Sequence, residues 1–222
     1  MKVIVFGATG MVGQAMLAQC LGDSGIDEVL VIGRSPVGRR DDKREILHTD
    51  FSDFSALAVD FAGADACFFC LGVSSVGMKE PEYRRVTKDF TLAAADALVA
   101  LAPQLVFVYI SGMGTDSSEH GRVMWARVKG EVENALLAMP FRAYAVRPGF
   151  IQAVGGVRSK TPLYAALYRV TGWLYPLVRR IAPNYAIRSD ELAAAMIELV
   201  RRRPEQRILE SRDLRALLAP AP

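Results

Sequence analysis

The stretch Val3-Ile4-Val5-Phe6-Gly7-Ala8-Thr9-Gly10-Met11-Val12-Gly13 decides the fold of this chain. Its four apolar residues predict a buried strand, and a helix with apolar periodicity is expected to follow. Glycines at this spacing permit a tight turn, let a pyrophosphate approach the backbone, and let the helix pack closely on the strand. Because a helix N-terminus attracts anions, the pattern predicts a dinucleotide-binding loop, with an ordinary strand-turn-helix corner as the alternative. The residues expected to bind are Gly7, Thr9, Gly10, Met11, Val12 and Gly13.

A basic residue follows the second apolar run, Val29-Leu30-Val31-Ile32. A dinucleotide site selective for NAD carries an acidic residue roughly 20 residues past the glycines, where it holds the ribose hydroxyls. Here Arg34 occupies that place, and a guanidinium suits a phosphate, so we expect NADP(H) rather than NAD. In the alternative interpretation, Arg34 stacks on the adenine and the basic residues after it form a solvated loop. Those later residues are Arg39, Arg40, Lys43 and Arg44.

Length and composition predict one soluble domain over residues 1–222. The net charge of +3 gives no reason to expect a nucleic-acid partner. No apolar run approaches the roughly 18 residues of a membrane span. Because the chain begins with a strand and has only three cysteines, we expect neither a signal peptide nor disulfides, and place the protein in the cytoplasm.

Cys67 and Cys70 have the spacing of a redox or zinc motif. They lie in a strongly apolar run, and the chain offers no second cysteine pair and only two histidines. We therefore expect buried structural thiols and no metal site.

Predicted strands and helices alternate along the chain. The strands are expected at 3–6, 29–32, 45–48, 66–71, 105–110, 141–146 and 209–210. The helices are expected after residue 13, near 57–59 with Ser52 or Asp53 as the cap, and at 81–101, 122–139 and 189–203. This order predicts an α/β protein with a doubly wound, mostly parallel sheet and helices on both faces. Ligands of such sheets bind beyond the carboxyl ends of the strands.

Several of these strand ends resemble a known family. The glycine spacing, Leu71-Gly72, Ser111, Lys129-Gly130-Glu131-Val132-Glu133 and Arg147-Pro148-Gly149 are similar to motifs of the atypical and extended short-chain dehydrogenases/reductases. The resemblance is strongest to the Tat-interacting-protein-like branch, which is related to NAD-dependent epimerases/dehydratases and to NmrA-like proteins. It covers the chain to about residue 200 and implies a Rossmann fold that binds NADP.

The resemblance also implies roles for individual residues. Asp50 would contact the adenine amine, Phe51 would flank the adenine ring, and Leu71-Gly72 would line the adenosine. Pro148-Gly149 would pass near the nicotinamide. Lys129 would hold the nicotinamide-ribose hydroxyls, and Ser111 would bind a substrate carbonyl oxygen.

One position departs from the family pattern. Active members usually carry a tyrosine four residues before the catalytic lysine, where its phenol exchanges a proton with the substrate. The chain has Trp125 there, and an indole N–H donates a hydrogen bond but is not a usable acid near neutral pH. Tyr83, Tyr109 and His120 are the available substitutes. We expect Tyr109 to be a core residue, Tyr83 to be a pocket wall or the proton donor, and His120 to be solvated or to close over the site.

Residues 150–186 are expected to determine substrate or partner choice. Within them, 163–181 is rich in apolar and aromatic residues and carries three arginines. Three interpretations remain open: a lid over a hydrophobic substrate, a surface for a homodimer or protein partner, and an interfacial membrane contact.

Two hypotheses for function follow. The first is an NADP-dependent oxidoreductase or epimerase-like enzyme for a small carbonyl or sugar-like substrate, with Ser111, Lys129 and Tyr83 as candidate catalytic residues. The second is a non-catalytic, NADP(H)-sensing regulatory protein, in which the cofactor orders the loop from Ser111 to Gly121 and the segment after Gly149 and thereby changes a partner surface. Trp125 favours the second hypothesis, whereas Ser111 and Lys129 favour the first.

Overall fold

The computed structural model describes residues 1–38, 43–154 and 185–219. The strands in this part of the chain are β1 (Lys2–Phe6), β2 (Glu28–Gly33), β3 (Arg44–Leu47), β4 (Ala66–Phe69), β5 (Val106–Ile110), β6 (Arg142–Arg147), β7 (Phe150–Gln152), β8 (Ala186–Arg188) and β9 (Ile208–Glu210). The helices are α1 (Met11–Gly22), α2 (Ala58–Phe61), α3 (Glu80–Arg84), α4 (Phe90–Leu101), α5 (Met124–Ala138), α6 (Ser189–Arg202) and α7 (Ser211–Ala216).

Seven strands form one sheet in the order β3-β2-β1-β4-β5-β6-β9. Every neighbouring pair is parallel, so the sheet is fully parallel and not only mostly parallel. From β1 the chain winds outward through β2 to β3, then returns to β4 and winds the other way. The predicted doubly wound α/β fold is confirmed, with its switch point between β1 and β4, where such sheets bind ligands.

Helices cover both faces of the sheet, as predicted. Alternate residues of β1 enter different cores: Val3 and Val5 face a cluster that includes α1 and α6, whereas Ile4 and Phe6 face one that includes α4 and α5. All four side chains have no exposed surface. The near-continuous apolar run of β1 therefore reflects a strand buried on both faces.

The structure differs from the predicted elements in a few places. The helix expected at 81–101 is α3 and α4 joined by a π-helical turn at Arg85–Asp89. Before α2 lies a 3-10 turn, Ser55–Leu57, in which the Asp53 carboxylate accepts a hydrogen bond from the Ser55 N–H at 2.8 Å. The small parallel pair β7–β8 and helix α7 were not predicted. Strands of three residues and helices of six carry too little periodicity to be recognised.

The glycine turn between β1 and α1 yields a stability test. A Cβ on Gly13 would lie 2.1 Å from the Gly7 carbonyl oxygen, and backbone atoms cannot yield that much space. We expect Gly13→Ala to lower the free energy of unfolding by about 3 kcal/mol, since overpacking forces the backbone to shift.

Gly22→Ala, at the other end of α1, is the matched control. A Cβ there would meet nothing within 4 Å. This variant should be unchanged or more stable by about 0.5 kcal/mol. Urea unfolding measures both variants, and an equal loss of stability in the two would contradict the role given to Gly13.

Candidate functional site

The glycine turn places the N-terminus of α1 at the switch point. Gly7 has a φ of +75°, and its Cα lies so close to β4 that a Cβ would be 2.6 Å from the Leu71 nitrogen. Gly10 is the N-cap residue, and as a glycine it has no side chain that could cap the helix. The N–H groups of Met11 and Val12 in the first turn have no acceptor within the helix. The predicted loop therefore has the geometry that holds a pyrophosphate.

A cleft of about 250 Å³ opens beside this turn. It brings together five of the residues predicted from the sequence, at the ends of four different elements: Gly7, Thr9, Arg34, Phe51 and Leu71. Apolar walls combined with a few polar groups are typical of a small-ligand site. The position next to the first turn of α1 fits the adenosine half of a dinucleotide.

Arg34 is the basic residue that the cleft presents. It is exposed, and no ion pair joins it to any residue in the described part of the chain. The basic residues after it are already paired: Lys43 lies 2.8 Å from Glu45, and Arg44 lies 2.5 Å from Asp60. Arg39 and Arg40 lie outside the described residues. The structure thus shows that Lys43 and Arg44 are held in ion pairs while Arg34 has none among the described residues, a difference that the sequence does not show.

Asp50 and Phe51 follow β3 at the far side of the cleft. The Asp50 carboxylate accepts hydrogen bonds from the Ser52 hydroxyl at 2.5 Å and the Ser52 N–H at 3.0 Å, and these hold its pKa below the usual value. Phe51 is buried and packs edge-on against Phe6 and Phe54 while it also lines the cleft. Asp50 is exposed and Gly72 follows Leu71 at the surface, and neither is part of the cleft wall. Their contacts with adenosine stay a prediction.

Ser111 lies directly after β5, with its hydroxyl 2.7 Å from that of Thr115. Thr115 in turn donates its proton to the Gly112 carbonyl at 2.8 Å. Since a hydroxyl has only one proton to donate, Ser111 is the donor in the Ser111–Thr115 hydrogen bond. The Ser111 oxygen can therefore accept hydrogen bonds. Its hydroxyl must break the hydrogen bond to Thr115 before it can donate one to a substrate oxygen.

Lys129 reaches from α5 to the same strand end. Its ammonium donates hydrogen bonds to the carbonyl oxygens of Ser111 at 2.7 Å and Ile110 at 3.3 Å, and it lies 5.5 Å from the centre of the Tyr109 ring. Burial disfavours the charged form and lowers the Lys129 pKa to about 8, although the Glu133 carboxylate acts in the opposite direction. Ser111 and Lys129 therefore meet at one place, as predicted.

A buried ion pair behind Lys129 was not predicted. Glu133 is completely buried and accepts two hydrogen bonds from Arg147, one of them at 2.9 Å. The same guanidinium donates to the Ser117 hydroxyl at 2.5 Å. The spacing of Lys129 and Glu133, which places both on one helix face, was the available signal. Arg147 thereby connects β6, α5 and the loop after β5.

Pro148 and Gly149 continue from Arg147 towards the strand end that carries Ser111. The Pro148 carbonyl accepts a hydrogen bond from the Met113 N–H at 3.0 Å. A Cβ on Gly149 would lie 2.3 Å from the Tyr185 carbonyl oxygen, so only glycine fits there. The position of Pro148-Gly149 beside the nicotinamide of a cofactor stays a prediction.

Side-chain hydrogen bonds hold the loop from Ser111 to Gly121. The Asp116 carboxylate accepts hydrogen bonds from the N–H groups of Ser118 at 3.0 Å and Gly121 at 2.6 Å. Asn134 of α5 donates to the Ser117 carbonyl at 3.0 Å. These hydrogen bonds tie the loop to itself and to α5, and its ordering by a cofactor stays a prediction.

The substitutes for the missing tyrosine do not line the site. Tyr83 is 1% exposed, so it is an interior residue and not the expected pocket wall or proton donor. Tyr83 is buried because α3 packs against α5 and continues directly into the π-helical turn. Tyr109 is a core residue, as predicted, and burial raises its pKa well above the usual value. His120 is exposed and lies near Asp116 and Ser118, whereas Trp125 packs close to Gly114.

An ion-pair network that the sequence analysis missed fixes α5 against α3 and the π-helical turn. Arg84 donates to both Glu131 oxygens, at 2.7 and 2.5 Å, and Lys88 lies 2.6 Å from the same carboxylate. Arg127 pairs with Glu80 at 2.6 Å. The sequence signals of this network were the four-residue spacings Glu80–Arg84, Arg84–Lys88 and Arg127–Glu131. It holds the helix that carries Lys129.

Thiols and metal sites can be assessed for the described residues. Cys67 is completely buried and burial raises its pKa well above the usual value, which agrees with a structural role. In this part of the chain no cluster of three or more His, Cys, Asp or Glu side chains is arranged to ligate a metal. Nor does any helix there have the length and apolar character needed to cross a membrane.

Comparison with known proteins identifies the family of this chain. A family model described as NAD(P)H-binding matches residues 7–158. The rat protein HTATIP2 is 29% identical over 154 residues, which cover 68% of this chain and 62% of that protein. The mitochondrial protein FMP52 of Eremothecium gossypii is 30% identical over 154 residues, covering 68% of this chain and 66% of that protein. The chain thus spans less than two thirds of the rat relative.

A solved structure shares the fold at low sequence identity. The UDP-N-acetylglucosamine 4-epimerase of Methanobrevibacter ruminantium M1, solved with UDP-N-acetylmuramic acid, superposes with a TM-score of 0.69 at 16% identity. The match covers 94% of this chain and 74% of the epimerase. The chain therefore has the Rossmann-like fold of the epimerase and short-chain dehydrogenase/reductase superfamily.

The buried pair of Glu133 and Arg147 can be tested through stability and through Lys129. Glu133→Gln removes the charge that raises the Lys129 pKa, so that pKa should fall below about 8. The variant also leaves Arg147 without its carboxylate, which should lower the free energy of unfolding by about 2–4 kcal/mol.

Glu198→Gln is the control, because Glu198 pairs with Arg201 and Arg202 at the surface of α6. It should cost no more than about 1 kcal/mol. Urea unfolding and an NMR titration of the Lys129 side chain measure both effects. An unchanged Lys129 pKa in Glu133→Gln would refute the coupling.

Proposed function

Because the chain belongs to the NAD(P)H-binding family, we propose that it is an NADP(H)-dependent oxidoreductase, or an epimerase-like relative, for a small carbonyl or sugar-like substrate. The observation that carries the choice of NADP(H) is Arg34, an exposed guanidinium in the cleft with no ion-pair partner among the described residues. A guanidinium binds a phosphate through two parallel hydrogen bonds. In NADP(H) the phosphate on the adenosine ribose would lie where Arg34 is.

The residues around the glycine turn would bind the rest of the cofactor. The first turn of α1 would hold the pyrophosphate with its backbone N–H groups. Phe51 and Leu71 would enclose the adenosine, since both line the cleft. Lys129 would donate to the hydroxyls of the nicotinamide ribose, and Pro148-Gly149 would border the nicotinamide. The bound cofactor supplies hydride transfer.

The substrate would bind where β5 and β6 end. Ser111 would donate a hydrogen bond to the substrate oxygen, after it gives up its present hydrogen bond to Thr115. The Trp125 indole could donate a hydrogen bond, but it is too weak an acid to give up its proton near neutral pH. Because Tyr83 is buried, the proton would come from water or from the substrate itself.

A non-catalytic NADP(H)-sensing protein is the second candidate, and Trp125 is the observation that favours it. In such a sensor, the cofactor would order the loop from Ser111 to Gly121 and the segment after Gly149, and would thereby change a partner surface. Residues 150–186 would serve either as a lid or, through 163–181, as a homodimer or partner surface. Most of that segment lies outside the described residues.

The cellular site of action is also a proposal. We propose the cytoplasm, a reducing compartment that suits three free cysteines. The relative from Eremothecium gossypii is named as mitochondrial, so fractionation of cells that express the protein should include both compartments.

Removal of Arg34 tests the cofactor assignment. We expect Arg34→Ala to weaken NADPH binding by about 10–100-fold, because charge-assisted hydrogen bonds to the phosphate are lost, and to leave NADH affinity within about twofold. Nicotinamide fluorescence enhancement during titration measures both affinities.

Arg44→Ala is the matched control, since Arg44 of β3 is paired with Asp60 of α2. It should leave both affinities unchanged. An equal loss of NADPH and NADH affinity in Arg34→Ala would contradict phosphate recognition, and no binding of either cofactor by the unmodified protein would contradict the proposed function.

A further inference from the structure

One wall of the cleft is formed by the segment that follows β2. Gly33, Arg34, Ser35 and Val37 all line the cleft. The segment begins where the sheet still holds the chain, since the Gly33 carbonyl accepts a hydrogen bond from the His48 N–H at 2.9 Å. Arg34 and Ser35 are exposed, so packing does little to fix them. What holds the chain after them therefore decides where the Arg34 side chain starts.

Glu45 of β3 holds this segment at Val37. One Glu45 carboxylate oxygen accepts a hydrogen bond from the Val37 N–H at 2.8 Å. Glu45 pairs in register with Val31, and paired residues of neighbouring parallel strands point to the same face of the sheet. Val37 packs against the apolar cluster on that face, to which Val31 belongs. The carboxylate therefore lies on the side of the sheet that holds Val31 and Val37, and it fixes the chain three residues after Arg34.

Lys43 holds the Glu45 carboxylate in place. The Lys43 ammonium donates a hydrogen bond to the other Glu45 oxygen at 2.8 Å. The side chains of Lys43 and Glu45 are only 3% and 19% exposed. A buried ion pair resists separation, because the charge that remains would have no partner. The carboxylate is therefore held in one orientation, with one oxygen turned to the Val37 N–H.

A cleft wall that is fixed before the ligand arrives raises the affinity for that ligand. A phosphate contact made from a mobile segment requires that the segment be ordered, and ordering the backbone of one residue costs free energy equivalent to roughly tenfold in affinity. This cost applies to a ligand that contacts Arg34 through a phosphate. A ligand without the phosphate contacts the rest of the cleft and avoids it. An anchor at Val37 therefore adds to the preference for the phosphorylated cofactor.

Resting on the proposed NADP(H) dependence, we propose that Glu45 is a positioning residue for cofactor selection. Neither Glu45 nor Lys43 lines the cleft. Glu45 acts through the Val37 N–H and keeps Arg34 where the ribose phosphate binds. Lys43 acts as the counter-ion of Glu45 and is not a ligand of the phosphate. The preference for NADP(H) over NAD(H) thus depends on one residue that binds the phosphate and on a second that positions the first.

The test uses variants that leave no buried charge without a partner. Lys43→Met removes the ammonium and leaves the hydrogen bond from Val37 to Glu45 in place. Adding Glu45→Leu removes the acceptor and replaces the ion pair by apolar side chains of similar volume, which proteins often tolerate. Adding Glu45→Gln instead keeps an acceptor, because an amide carbonyl also accepts a hydrogen bond. Glu45→Ala in the same background repeats the test with a smaller side chain. Urea unfolding compares the stability of the variants, and hydrogen exchange of the Val37 amide by NMR reports on its hydrogen bond.

Nicotinamide fluorescence measures the affinities of these variants for NADPH and NADH. Lys43→Met and Lys43→Met/Glu45→Gln should bind NADPH within about twofold of the unmodified protein. Lys43→Met/Glu45→Leu should bind NADPH about tenfold more weakly, with NADH affinity within about twofold and faster exchange of the Val37 amide. Glu28→Leu is the control, since Glu28 lies at the other end of β2 and faces Lys2 at 3.8 Å on the surface. It should change neither affinity.

The outcomes separate this inference from the proposed function. A loss of NADPH affinity that Glu45→Leu causes and Glu45→Gln does not, at unchanged NADH affinity, supports the positioning role, because a general loss of stability would weaken both cofactors. Unchanged NADPH affinity in the leucine variant, an equal loss for both cofactors, or a loss in Lys43→Met alone overturns the inference and leaves the role of Arg34 standing. An unmodified protein that binds NADPH no more tightly than NADH overturns both.

Discussion

The backbone turn from β1 into α1 leaves no space for a side chain at Gly7 or Gly13, and the site depends on this restriction. A Cβ on Gly7 would lie 2.6 Å from the backbone nitrogen of Leu71, two residues after β4. A Cβ on Gly13 would lie 2.1 Å from the Gly7 carbonyl oxygen. Only a chain with glycine at both positions brings β1, α1 and the end of β4 this close together. As a consequence, the first turn of α1 and the cleft beside Arg34 open at the switch point of the sheet, where both can contact one ligand.

Helix α5 carries the other half of the site, and buried charges determine where it lies. Gly130 allows the loop after β5 to approach so closely that a Cβ would be 1.8 Å from the Asp116 oxygen. Glu133 and Arg147 join α5 to β6 in the interior, where removal of one partner is far more costly than at the surface. The result is a Lys129 ammonium held against two carbonyls with a lowered pKa. Stability and function thus depend on the same helix face.

The fold was largely predictable because its signals are local. The buried β1, the glycine spacing and the alternation of strands and helices each rest on neighbouring residues, and the sheet follows from them. The cleft residues Gly7, Arg34, Phe51 and Leu71 were predictable because parallel strands bring their carboxyl ends to one edge.

The contacts between distant residues were not predictable. Nothing near Arg147 in the sequence identifies Glu133 as its partner, and the burial of Tyr83 depends on how α3 packs against α5. Arg44 is held in an ion pair by Asp60, which lies on a different element, and the sequence around Arg44 does not identify this partner. Trp125 was recognised from its spacing to Lys129, but the sequence does not show that its ring packs close to Gly114 in the loop after β5.

A crystal structure with NADP⁺ bound would test the central claim, which is that the cleft between the glycine turn and Arg34 holds the adenosine end of the cofactor. We expect the pyrophosphate at the first turn of α1, the adenine between Phe51 and Leu71, and the ribose phosphate within hydrogen-bond distance of the Arg34 guanidinium. A cofactor bound elsewhere, or one whose ribose phosphate points to solvent with Arg34 turned away, would contradict it.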